Sequence, residues 1–147
     1  MHFTMLMLSC TGTDDPGNEP PTVNSVSTTP ARVYETTTIS ATAAAGDPEG
    51  QDIELTFTWT VNGAEVQSGV LQTLSGAYFD KGDTVVVSVT ATDGEAESGA
   101  TSSADIPVLN SAPSIEGARI LPEDATGGDD LSVELEGAAD DDDDEVF

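Results

Sequence analysis

Asp52-Ile53-Glu54-Leu55-Thr56-Phe57-Thr58-Trp59-Thr60-Val61 decides the fold. Ile53, Leu55, Phe57, Trp59 and Val61 alternate with polar residues along its whole length. A period of two belongs to a strand with one face on a core and the other in water. The stretch holds the only Trp, the largest apolar surface a small domain buries. The acidic loop Gly46-Asp47-Pro48-Glu49-Gly50-Gln51-Asp52 leads in, and Asn62-Gly63 turns the chain out.

The same period appears on both sides. Thr22 to Thr28 reads as a strand with Val23 and Val26 as its apolar residues, and Thr36 to Ala43 turns Ile39, Ala41 and Ala43 inward. Ala64 to Gln67 and Val70 to Leu74 are weaker strands. After the turn Asp80-Lys81-Gly82-Asp83, Thr84 to Thr92 points Val85, Val87, Val89 and Ala91 inward. Asp93-Gly94-Glu95 turns again, and Ser98 to Val108 returns with Ala104, Ile106 and Val108 inward. No stretch has helical periodicity. The expected fold is all-β: an antiparallel sandwich of about seven strands over 21–109. Trp59 is read as core packing, not as a ligand residue.

Composition narrows the function. The chain of 147 residues has 28 acidic against 3 basic residues, a net charge of -25. Nucleic acids and anionic membrane surfaces select for Lys and Arg, so neither is an expected partner. The single Cys and single His are Cys10 and His2. An intrachain disulfide, a Cys/His zinc site, a Ser-His-Asp triad and a Cys-His pair are all excluded within this chain. No enzyme activity is expected.

Residues 1–10 end in Leu6-Met7-Leu8-Ser9-Cys10, an apolar run too short to span a bilayer. The run resembles a bacterial lipoprotein signal, in which a small residue precedes a Cys that is lipidated. Ser9 fits that small position; Leu8 fits its own poorly, and no Lys or Arg comes before the run. The resemblance implies lipidation at Cys10, a membrane contact through the anchor alone, and a place at the cell surface or outer membrane of a bacterium, or secretion from it. The plain alternative is an ordinary leader end or a fortuitous apolar start. Residues 11–20, rich in Gly, Pro and acids, form a flexible linker.

A repeat closes the chain. Asn18-Glu19-Pro20-Pro21-Thr22-Val23 is echoed by Asn110-Ser111-Ala112-Pro113-Ser114-Ile115. Pro113 minus Pro21 and Pro122 minus Pro30 both give 92. Ile39, Ala41 and Ala43 fall opposite Leu131, Val133 and Leu135; with a slip of one, Asp47 to Ile53 falls opposite Asp140 to Val146. A fixed period marks a tandem array. Residues 110–147 are thus a partial, truncated second repeat, with two strands and no Trp strand. Residues 114–137 are expected to be poorly packed or to borrow a surface, and the chain to be a fragment.

The repeat resembles the polycystic-kidney-disease-like and cadherin-like immunoglobulin-type repeats of large bacterial surface proteins. The residues that carry the resemblance are Asn110-Ser111-Ala112-Pro113, Asp47-Pro48-Glu49-Gly50, Trp59-Thr60-Val61-Asn62-Gly63, Leu74-Ser75-Gly76-Ala77, Lys81-Gly82-Asp83-Thr84-Val85 and Val89-Thr90-Ala91-Thr92-Asp93-Gly94. It implies an immunoglobulin-like sandwich serving as a stalk, an adhesin or a carbohydrate-binding spacer.

In such a sandwich the loops holding Asp47, Glu49 and Asp52 share one end with Asp93, Glu95 and Glu97, where the linker residues Asn18 and Glu19 enter. Crowded hard oxygens suit Ca²⁺, which takes six to eight of them. The candidate metal ligands are Asp47, Glu49, Asp52, Asp93 and Glu95. At the junction, Asp80 and Asp83 are expected to meet Asn110 and the run Asp140 to Glu145. The plain alternative is that these acids are solvated turn residues.

The expected function is a non-catalytic extracellular structural or adhesion module, a lipid-anchored stalk. Its partners would be neighbouring repeats of the same chain and a cell-surface protein or glycan. The alternative is a spacer or carbohydrate-binding module of a larger secreted enzyme. Sugar binding needs exposed aromatics; Tyr34 and Tyr78 are the only Tyr residues, and Tyr78 beside Phe79 is expected in a core corner.

Overall fold

The computed structural model describes residues 17–140. Cys10 and Asp141 to Glu145 therefore lie outside the described residues.

The Trp strand pairs on both sides. It is β4 (Glu54–Val61), flanked by β5 (Ala64–Gly69) and β7 (Thr84–Thr92), both antiparallel. The sheet continues through β9 (Ile106–Leu109) to β2 (Val33–Tyr34), which lies parallel to β9, while the short β8 (Thr101–Ser102) also pairs with β7. A second sheet holds β1 (Thr22–Thr29), β3 (Ile39–Gly46) and β6 (Thr73–Leu74). The two sheets enclose one core. Trp59, Phe57 and Val87 from one sheet meet Ile39, Leu74 and Val23 from the other, all under 9% exposed. The protein is an all-β sandwich.

Several elements depart from strict alternation. Val23 and Val26 lie an odd number of residues apart, yet both face the core. A bulge between Val23 and Ser25 inserts one residue into β1 and resets its phase. Asp52 and Ile53 precede β4 rather than joining it. Val70 to Leu74 is not one strand: only Thr73–Leu74 pairs, and it pairs in the opposite sheet. The chain must cross between sheets there, which leaves Val70 and Leu71 exposed. The crossing is tied down by Trp59 Nε1, which donates to Leu71 O at 3.4 Å, and by Ala41 N, which donates to Gln72 O at 2.7 Å.

Ser98 to Val108 is likewise split, and Ala104 is exposed instead of inward. Ser103 interrupts the ladder: its N–H reaches Val87 O at 2.8 Å, while its hydroxyl, in place of a backbone carbonyl, accepts from Val87 N at 3.2 Å. The segment Gly76–Tyr78 forms a 3-10 turn capped by Ser75, whose hydroxyl accepts from Ala77 N at 3.3 Å. That turn buries Phe79 but leaves Tyr78 48% exposed, so Tyr78 is not in the core corner expected for it.

Beyond the sandwich, β10 (Gly117–Leu121) and β11 (Ser132–Glu136) form a separate two-stranded sheet. Its register copies the first hairpin. Adding 92 to the β1–β3 pairs Thr29↔Ser40, Thr28↔Ala41 and Val26↔Ala43 gives Leu121↔Ser132, Ile120↔Val133 and Ala118↔Leu135, all of which occur. The pair Thr22↔Gly46 returns as the bridge Ser114↔Ala139, one residue longer on the second strand, the same slip that the sequence contains.

Candidate functional site

The acid-bearing loops β3–β4 and β7–β8 are each organised by one aspartate. Asp47 Oδ1 accepts from Glu49 N at 3.0 Å and from Gln51 N at 2.8 Å. Gly50, with φ +78°, supplies the left-handed step that brings the chain round to β4. Asp93 Oδ1 accepts from Glu95 N and Ala96 N, both at 2.7 Å, and Gly94 takes φ +93°. Each aspartate thus satisfies backbone donors that a tight turn leaves unpaired.

The linker joins the two loops. Asn18 Nδ2 donates to Asp93 Oδ2 at 2.9 Å, and Glu19 N donates to Glu49 Oε2 at 3.3 Å. Consecutive Cα atoms are about 3.8 Å apart, so the two loops lie side by side where the chain enters the sandwich. The structure therefore brings Asn18, Glu19, Glu49 and Asp93 into contact, with Asp47 holding Glu49 in place. Asp52 and Glu95 are exposed on the same loops, and neither carboxylate is hydrogen-bonded to this cluster.

Two electrostatic features stand out. Asp93 has its carboxyl held below the ordinary range by the Ala96 N–H, then by the Asn18 amide and the Glu95 N–H, all of which favour the anion. Asn18 Oδ1 and Asp47 Oδ2 are buried atoms that accept no hydrogen bond among the described residues. Buried acceptors are normally paired. Among the described residues, no group of three or more His, Cys, Asp and Glu side chains is close enough to hold a metal ion.

The opposite end is built on Asn62 and Asp83. Asn62 sits at φ 50° in the β4–β5 turn. Its Nδ2 donates to Asp83 Oδ1 at 2.7 Å, and its Oδ1 accepts from Thr84 N at 3.0 Å. Asp83 Oδ2 accepts from Asp80 N at 2.8 Å. That backbone donor, then the Asn62 amide, lowers the Asp83 carboxyl. Both Asp83 oxygens are thus occupied within the first repeat, whereas Asp140 Oδ1 accepts from Ser111 Oγ at 3.3 Å. Sequence reasoning read Asn62 only as a turn residue. Its clamp on Asp83 joins loops 21 residues apart, a contact that sequence spacing does not encode.

A shallow cleft of about 330 Å³ lies between Pro20–Val23 and Ser98–Thr101. Thr101 Oγ1 crosses it to donate to Val23 O at 3.0 Å. No known protein family, characterised protein or solved structure matches this chain.

Proposed function

We propose that the chain is a non-catalytic structural module, a stalk of tandem immunoglobulin-like repeats of the polycystic-kidney-disease-like or cadherin-like kind. The observation that carries this reading is the recurrence of the β1–β3 register in β10–β11 at an offset of 92. Units that repeat at a fixed period and contact their neighbours build extended spacers. The net charge of -25 favours a solvated, self-repelling surface and disfavours nucleic acid. The partners in this reading are neighbouring repeats and a surface protein or glycan.

Cys10 anchors the stalk through lipid at a bacterial surface, with the Gly- and Pro-containing stretch after it as tether. The test is metabolic labelling with a palmitate analogue in a Gram-negative host. Label retained in Cys10→Ala, or absent from the parent, would refute the anchor.

Calcium at the linker end stiffens the entry of the linker into the sandwich. Asn18 Oδ1 and Asp47 Oδ2 support this as buried oxygens lacking a donor, with Glu49 and Asp93 beside them. Ca²⁺ binding would draw in Asp52 and Glu95, which lie exposed on the same loops. Thermal melting in millimolar Ca²⁺ against Mg²⁺ decides the matter: a rise with Ca²⁺ alone that vanishes in Asp47→Asn is expected, and no rise overturns the site.

The exposed Tyr78 favours a second reading, a carbohydrate-binding or spacer module of a secreted enzyme. A glycan array probed with the parent and Tyr78→Ala separates the two readings.

A further inference from the structure

The second hairpin carries a core-type face with nothing over it. Ile120, Leu131, Val133 and Leu135 are exposed by 59, 62, 66 and 42%, and Ile115 by 52%. At the offset of 92, Val23, Ile39 and Ala41, the equivalents of Ile115, Leu131 and Val133, are buried at 6, 0 and 2%, and Thr28 and Ala43, the equivalents of Ile120 and Leu135, are half-buried. The reverse face of the hairpin is polar: Arg119 Nη2 meets Glu134 Oε2 at 2.6 Å, and Arg119 Nε meets Glu136 Oε1 at 3.4 Å. The hairpin has therefore sorted its side chains for burial on one side. A two-stranded sheet is marginal alone in water, and a contiguous apolar face marks a contact surface.

We propose that this face docks a second sheet of the β4–β7 kind, one that presents an apolar face as β4 and β7 present theirs to β1 and β3. The inference rests on the tandem-repeat reading and deepens it. The first repeat shows what covers such a face: the sheet bearing Phe57, Trp59, Val87 and Val89. In this chain that sheet is already closed, each of the four being at most 1% exposed. A second copy of the chain therefore has no free sheet of this kind to offer.

The docked sheet also differs from β4–β7 in shape. Val133 and Leu135 replace Ala41 and Ala43, and Ile115 replaces Val23; each is larger. Ala118, paired with Leu135, is smaller than Val26, so the net gain in volume falls at the Ile120–Val133 pair, which replaces Thr28 and Ala41. Interiors are close-packed, so the covering strands must be smaller there than those that cover Ala41.

The test replaces Phe147 with a second copy of residues 54–109, which restores the spacing between hairpin and Trp strand. A companion graft carries Ala118→Val, Val133→Ala and Leu135→Ala, the residues found in the first hairpin, and so removes the misfit. Hydrogen exchange at Ile120 and residue 133 is the readout. We expect exchange in the companion graft to slow at least about 100-fold relative to the unextended chain, with a second unfolding transition. The first graft should fall short of it. Fast exchange in both grafts overturns the proposal. So does an unextended chain that dimerises in sedimentation at micromolar concentration with its hairpin protected, because a second copy is then the occupant. Cys10 acylation does not enter this experiment, so the anchor and the docking face fail separately.

Discussion

Ile39 and Leu131 occupy the same register position in the two hairpins, 92 residues apart, and should respond differently to truncation. Ile39 is fully buried and pairs in register with Leu74; Leu131 is 62% exposed. Ile39→Ala removes three carbons, worth about 2.4 kcal/mol at about 0.8 kcal/mol each. The unfilled cavity adds to this, for a total of about 3–4 kcal/mol. A domain of this size loses about 4–6 °C of Tm per kcal/mol, so the melt should fall by about 12–24 °C. Leu131→Ala leaves no cavity and should stay within about 0.5 kcal/mol. Urea unfolding followed by Trp59 fluorescence is the assay, because the only Trp lies in the first repeat and reports its core. A loss above about 1.5 kcal/mol for Leu131→Ala would show the hairpin packed on the sandwich. A loss under about 1 kcal/mol for Ile39→Ala would show that the two sheets do not close on this residue.

Other substitutions test the turns. Asn62→Gly keeps the φ of 50° accessible but removes both side-chain bonds to the Asp83–Thr84 segment, and should cost about 1–2 kcal/mol in urea. Asn62→Ala should cost more, since it also strains the backbone. Gly76→Ala would place a Cβ 1.9 Å from Glu35 O, so the two segments must part; a loss of about 1–3 kcal/mol is expected by thermal melting. Asp93 is depressed in the folded state, so its contribution is present above the unfolded value near 3.8 and lost as pH falls through the folded one. The stability gap between parent and Asp93→Asn should therefore be full at neutral pH and close on acidification below that value. A gap independent of pH from 7 to 2 would remove the Asp93 anion as its source.

The candidate site was legible in outline only. The sandwich topology puts loops β3–β4 and β7–β8 at one end, and period-two strands imply that topology. What strand periodicity does not carry is how each aspartate divides its oxygens. Asp47 and Asp93 spend one oxygen on their own turns, and Asp93 spends the other on Asn18. Asp52 and Glu95 resemble them in sequence and do no such work, because among the described residues no backbone N–H donates to either carboxylate. Tyr78 was misplaced for a related reason. A 3-10 turn sends neighbouring side chains in different directions, so burial of Phe79 says nothing about Tyr78.

Residue order alone is enough to place the long strands β1, β3, β4 and β7 and the echo at 92 residues. Both follow from local order: alternation needs only the pleat, and a repeat needs only self-comparison. Tertiary structure decided the bulge that turns Val23 and Val26 to one face, the crossing that exposes Val70 and Leu71, and the parallel strand β2 beside β9. Each depends on a partner strand far along the chain, and strand pairing is fixed by the whole sheet rather than by either segment alone. The same reason separates Ile39 from Leu131. Their hairpins share one pattern and one register, and the presence of a sheet above the first alone makes its face a core.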